Sequence, residues 1–217
     1  MATSVGILLS GRGSNFLALQ AAMERGEVPA RVTVVVSNVA DAPGLTKARE
    51  LGLEAVAIPH HDEPSRAEHE AKVAAALAEA GAEWVCLAGY MRLLSAGFVR
   101  RWPERILNVH PSLLPAFPGL DAQGQALAHG VTVSGCTVHL VDEGLDSGPI
   151  VAQAAVPVEE GDDRDRLAGR ILAAEHRLYP RALARLLTER WEVRGRRLEF
   201  LGPAGERRRD GDPHERG

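Results

Sequence analysis

The chain has 217 residues, 45% hydrophobic and 25% charged, with a formal net charge of -4. That length and balance fit an ordinary globular domain. The acidic surplus argues against a dedicated nucleic-acid binder, which carries a basic excess, and no apolar run approaches the roughly 20 residues of a membrane span.

Met1 to Ser4 lead straight into an apolar run, with no basic start and no cleavage-type segment. No targeting signal is read there, so a cytoplasmic location is expected. That run, Val5–Leu9, predicts a first strand, and Val32–Val36 predicts a second; both are short and rich in β-branched residues, as buried parallel strands are. Between them Asn15–Arg25 reads as a helix stopped by Gly26. A second helix is predicted from Asp41 to Leu51, before Gly52. A third starts at Ser65, where Ser65 and Glu68 have capping-box spacing, and runs to Ala80 before Gly81. Strands follow at Trp84–Ala88, Arg105–Val109, Cys136–Val141 and Ile150–Val156. Cys86 and Cys136 fall in apolar stretches and are expected to be buried, reduced thiols. A long helix is predicted from about Asp163 to Glu189, kinked or broken at Pro180. Trp191 to Phe200 resembles a hairpin turning at Arg194-Gly195. Residues 1–200 are expected to form the domain and residues 201–217, rich in Gly, Pro and Arg, a flexible tail.

This order of elements predicts an α/β fold: a mostly parallel twisted sheet with helices on both faces and right-handed crossovers. Ligands in such folds sit beyond the carboxyl ends of the strands, so the segments just after strands are where chemistry is sought. After the first strand comes Ser10-Gly11-Arg12-Gly13-Ser14-Asn15 and then a helix. Glycines let the backbone turn and approach a ligand, and a helix start offers free N–H groups to an anion. No Gly-Lys-Ser/Thr follows, and Phe16 stands at the third glycine position of a dinucleotide fingerprint. The loop suits a phosphomonoester; read alone, it is equally a glycine turn capped by Ser14 or Asn15.

Asn108 and His110 lie two apart at the end of a predicted strand, so they share a face. An amide donor and an imidazole together can hold a developing oxyanion, although a hydrogen-bonded Asn and a structural His would look the same. The loop Val141-Asp142-Glu143-Gly144-Leu145-Asp146-Ser147-Gly148-Pro149 offers three acids as partners for the imidazole, and spacing does not choose among them.

Ser10-Gly11-Arg12-Gly13-Ser14-Asn15, Leu87-Ala88-Gly89-Tyr90-Met91-Arg92-Leu93-Leu94, Asn108-Val109-His110-Pro111-Ser112-Leu113-Leu114-Pro115 and Leu145-Asp146-Ser147-Gly148-Pro149, in this order, resemble the glycinamide ribonucleotide formyltransferases over roughly Val5 to Phe200. The resemblance implies a formyltransferase fold of the Rossmann-like type and transfer of a formyl group from 10-formyltetrahydrofolate to the amine of glycinamide ribonucleotide, in purine biosynthesis. It implies that Asn108, His110 and Asp146 are catalytic, and that Gly13, Ser14, Asn15 and Glu175 contact the ribonucleotide. It places Arg66, Met91, Arg92, Leu93, Leu94, Asn108 and Val141 at the folate, and it suggests a cis bond before Pro115. The expected partners are these two small molecules, with no nucleic acid and no membrane, in a monomer or a homodimer. No metal is expected, since no cysteine pair or His-Glu-x-x-His run has ligand spacing. Methionyl-tRNA formyltransferases and formyltetrahydrofolate hydrolases share the core but add a C-terminal or an N-terminal domain; the chain is expected to have neither. One departure is visible: after Pro118-Gly119-Leu120 many relatives carry His and Arg, whereas this chain has Asp121-Ala122-Gln123-Gly124.

Overall fold

Apolar runs too short for helices, separated by helices that end on glycine, assemble into one sheet. The computed structural model describes residues 2–203. Its elements in chain order are β1 (Thr3–Leu9), α1 (Ser14–Glu24), β2 (Ala30–Ser37), α2 (Pro43–Glu50), β3 (Ala55–Ala57), α3 (Arg66–Glu79) and β4 (Trp84–Leu87). Then follow α4 (Ala96–Val99), β5 (Ile106–His110), α5 (Ala122–Ala128), β6 (Val133–Leu140), β7 (Ile150–Pro157), α6 (Arg164–Thr188), β8 (Glu189–Arg194) and β9 (Arg197–Pro203). Among the described residues the sheet has nine strands in the order β3-β2-β1-β4-β5-β6-β7-β9-β8. It is parallel from β3 to β5. β6 and β7 then run antiparallel to their predecessors, and the β8–β9 hairpin closes the far edge.

The parallel strands are buried on both faces, which is why they read as unbroken apolar runs. Ile7 and Leu9 of β1 pack with Phe16 and Leu19 of α1, Leu45 of α2 and Ile171 of α6. Leu8, between them, packs on the other face with Val73 and Leu77 of α3 and Phe98 of α4. β5 and β6 divide differently. Leu107, Val109, Cys136 and Val138 join the α1–α6 side. The alternate residues Asn108, His110, Thr137 and His139 face the side where α3 and α4 do not reach and loops cover the sheet. A polar patch results on one face of an otherwise apolar sheet.

Both cysteines are free and buried. Ser65 caps α3 by accepting from Glu68 N–H at 3.2 Å. Pro180 neither breaks nor ends α6, which runs unbroken for 25 residues. Leu167, Ile171 and Ala174 before it and Leu183 and Leu186 after it bury one continuous stripe, and that packing outweighs one missing N–H. The short elements β3, α4 and α5 have too few residues to print a period. The proposed tail start needs correction: Gly202 pairs with Arg190 and Pro203 with Glu189 in β9. A strand ladder bonds through the backbone, so poverty in apolar side chains did not end the structure at Phe200. The rest of the expected tail, residues 204–217, lies outside the described residues.

Because β1, β4 and β5 are parallel neighbours, the segments that follow them, 10–15, 88–95 and 111–119, emerge along one edge of the sheet.

Candidate active site

β5 ends in Asn108 and His110, and β6 runs antiparallel beside it with His139 opposite Asn108 and Thr137 opposite His110. Directly opposed residues share a face. Asn108 Nδ2 lies 3.1 Å from His139 Nε2. His139 Nδ1 lies 3.0 Å from the Leu140 carbonyl. A carbonyl only accepts, so Nδ1 carries the proton and Nε2 accepts from the Asn108 amide. Burial, the largest influence, holds His139 below the ordinary histidine range, so the ring is neutral and the Asn108 amide is fixed with its nitrogen toward it.

His110 is buried and donates from Nε2 to the Phe117 carbonyl at 2.9 Å. Its Nδ1 faces Asp146 Oδ2 at 3.4 Å. Both ring nitrogens thus face oxygen acceptors. Asp146 also receives the Gly119 N–H on Oδ2 at 2.8 Å and lies 3.7 Å from His139 Nε2 through Oδ1. Its φ of 48° turns the chain back over the strands. The other two acids of the loop are engaged elsewhere: Asp142 accepts from Gly144 N–H and Ser147 Oγ, and Glu143 pairs with Arg100 at 2.7 Å. Asp146 is therefore the carboxylate that the fold brings to His110.

Gly13 precedes α1 with φ 71° and ψ 25°, and no side chain caps the helix. A Cβ at Gly13 would stand 3.0 Å from Gly44 Cα and 3.2 Å from Leu9 Cδ2. The loop thus needs glycine both for its backbone and for its space. Ser14 opens α1 beside these free N–H groups. Asn15 does something the sequence did not reveal: its Nδ2 donates to Glu175 Oε2 of α6 at 2.7 Å, inside the protein. Burial pushes the Glu175 carboxyl up to about 7, against the opposing pull of that bond. Asn15 Oδ1 is buried with no partner, an acceptor facing no protein donor.

The folate-side residues predicted from sequence fall into two groups. Met91 and Leu93 are strongly exposed, at 67% and 60%. Leu94 and Val141 instead pack with Tyr90 against the α3–α4 cluster. Arg92, half-buried, acts electrostatically on Tyr90 and His69. Arg66 donates to the Leu93 carbonyl at 2.7 Å and to Glu70 at 2.9 Å. Glu70, absent from the sequence reading, also accepts from Ser95 N–H and Ser95 Oγ and so fastens the 91–95 segment to α3. The sequence reading missed His139 as well. Its signal was the Thr137-x-His139 spacing, the same period that drew attention to Asn108 and His110. The divergent Asp121 caps α5 by accepting from Gly124 N–H and pairs with Arg164.

A model of the formyl transferase family (Formyl_trans_N) matches residues 4–183. The phosphoribosylglycinamide formyltransferase of Escherichia coli is 40% identical over 80% of this chain and 82% of its own length. The trifunctional purine biosynthetic protein adenosine-3 of Drosophila pseudoobscura pseudoobscura is 50% identical over 84% of this chain, which spans only 14% of that longer protein. Among solved structures, glycinamide ribonucleotide transformylase 1 from Symbiobacterium toebii superposes with a TM-score of 0.90 at 50% identity, covering 92% of this chain and 94% of its own. With the matched stretch taking in strands β1 to β7, the glycine loop and the polar patch of β5 and β6, the chain belongs to the formyl transferase family.

Proposed function

We propose that this chain transfers the formyl group of 10-formyltetrahydrofolate to the amine of glycinamide ribonucleotide, giving formylglycinamide ribonucleotide and tetrahydrofolate in purine biosynthesis. The observation that carries this reading is the convergence of Asn108, His110 and Asp146 on one polar patch beside a glycine-bounded helix start. The ribonucleotide phosphate binds the N–H groups at Gly13, Ser14 and Asn15. Asn15 Oδ1, buried without a partner, accepts from the ribonucleotide, and Glu175 flanks it. The folate lies along Arg66, Met91, Arg92, Leu93, Leu94 and Val141, where exposed apolar side chains await cover.

The amine attacks the formyl carbon, and the carbonyl oxygen becomes an oxyanion. Asn108 has one amide hydrogen engaged by His139, and its second is available to that oxygen. His110 Nδ1–H, held loosely at 3.4 Å from Asp146 Oδ2, turns part of its donation to the oxyanion and is the second donor. Asp146 stabilises the charged imidazole and takes the proton that the amine loses, directly or through water. Collapse of the intermediate expels the folate nitrogen, which collects a proton as it leaves. Mixing the protein with both substrates and following the absorbance change of the folate tests the reading. Turnover that requires glycinamide ribonucleotide supports it; no turnover with the ribonucleotide at saturation refutes it.

A further inference from the structure

His110, Thr137 and Gln153 stand opposite one another on β5, β6 and β7, one rung across three strands. Only the first of them faces Asp146; the other two face the loop that follows β5. Thr137 is fully buried. Its hydroxyl donates to the Ser112 carbonyl at 2.7 Å and accepts from Leu114 N–H at 3.0 Å. It also accepts from Gln153 Nε2 at 2.9 Å. One donor and two lone pairs are thereby all used. The same Gln153 nitrogen donates its second hydrogen to the Leu114 carbonyl at 2.9 Å. Both backbone polar groups of Leu114 are thus held by this rung. Beside it, Leu113 lies over Gly135, where an added Cβ would come within 2.8 Å of Leu113 Cδ2 and 2.1 Å of the Ala154 carbonyl oxygen. The near end of the 112–119 loop is clamped by hydrogen bonds and by close packing on bare backbone.

The far end of that loop touches the reacting groups. Its Phe117 carbonyl accepts from His110 Nε2, and its Gly119 N–H holds Asp146 Oδ2. Ser112 Oγ donates to the Ala116 carbonyl at 2.5 Å, so the loop is braced within itself between clamp and contacts. We infer that Thr137, with Gln153 behind it, is a positioning residue for formyl transfer: it fixes the loop that sets the distance and orientation between His110 and Asp146. This inference rests on the functional reading given above. A hydroxyl buried with all its bonds made cannot be exchanged for a methyl without leaving a backbone donor and a backbone acceptor unmet, and the nearest relief is movement of the loop.

Thr137→Val keeps the shape and removes the hydroxyl; Thr137→Ser keeps the hydroxyl. The expected result is a kcat about tenfold or more lower in Thr137→Val, the scale of misplaced catalytic groups, with both KM values within about threefold. Thr137→Ser should recover most of the lost kcat. Gln153→Leu, at an exposed side chain that the fold tolerates, should give a smaller loss of kcat with the same unchanged KM values, and it stands in if Thr137→Val does not fold. Unaltered kcat in Thr137→Val, or in Gln153→Leu where it stands in, overturns the proposal. So does an equal loss in Thr137→Val and Thr137→Ser, or a rise in KM with kcat intact. Wild-type protein that transfers no formyl group would instead overturn the functional reading.

Discussion

Asp146 sits where one substitution separates two roles. Asp146→Asn keeps the shape and the Gly119 contact but removes the charge facing His110. Turnover should fall by about two or more orders of magnitude, the scale of lost acid–base or oxyanion support, while KM moves much less. The losses from His110→Ala and Asp146→Asn should be strongly non-additive in the double variant, because the two side chains act as a unit; full additivity in steady-state kinetics would contradict this. Glu175 gives a second test. Its carboxyl titrates at about 7 instead of the ordinary 4.5, so the folded protein holds a proton that the unfolded chain has already released. The associated stability is complete below the unfolded value and is lost as pH rises through the folded one, a change on the order of 3 kcal/mol. Urea unfolding should show Glu175→Gln gaining on the wild type between about pH 5 and about pH 8 by that amount; a difference constant with pH would contradict it. At this scale the sequence disclosed the Asn108–His110 pair, because a period of two is local. Spacing left three acids open and only the family resemblance singled out Asp146, which meets His110 through a turn with positive φ; His139, which comes in through strand register, was not legible.

Elements were legible where they were long. Glycine stops and the Ser65 cap marked the helix ends to within a few residues, whereas three- and four-residue elements such as β3 and α4 left no pattern. Pro180 left a kink or a break open, and burial of one long stripe carries α6 through it without a break. In α6, Tyr179 ties helix to sheet: its buried hydroxyl lies 3.1 Å from the Leu87 carbonyl and 2.8 Å from the Leu107 carbonyl. Tyr179→Phe should lower stability by about 1–3 kcal/mol, read as a lower urea midpoint; an unchanged midpoint would show that these contacts contribute nothing. The loop between β1 and α1 responds differently. Gly13→Ala imposes a left-handed φ on a residue with a side chain, at about 1–2 kcal/mol, and pushes on Gly44. Calorimetry should show ribonucleotide affinity falling more than folate affinity, and equal weakening would contradict a phosphate role for this loop.

Across the whole molecule, the sheet sorts chemistry by strand direction. Parallel β1, β4 and β5 deliver three loops to one edge, and the reversal at β6 turns polar residues of β5 and β6 onto a shared face. The mostly parallel core was legible from the alternation of elements. The terminal hairpin was legible too, from its Arg194-Gly195 turn, but the antiparallel pairing of β6 and β7 was not, because nothing local in either strand records its neighbours. The central claim is that this edge joins a formyl donor to an amine instead of to water. Labelling the formyl group of 10-formyltetrahydrofolate and dividing the released label between formylated glycinamide ribonucleotide and free formate measures that choice directly. The account predicts that nearly all the label reaches the ribonucleotide and that Asp146→Asn slows its arrival; label accumulating as formate with the ribonucleotide at saturation would contradict it.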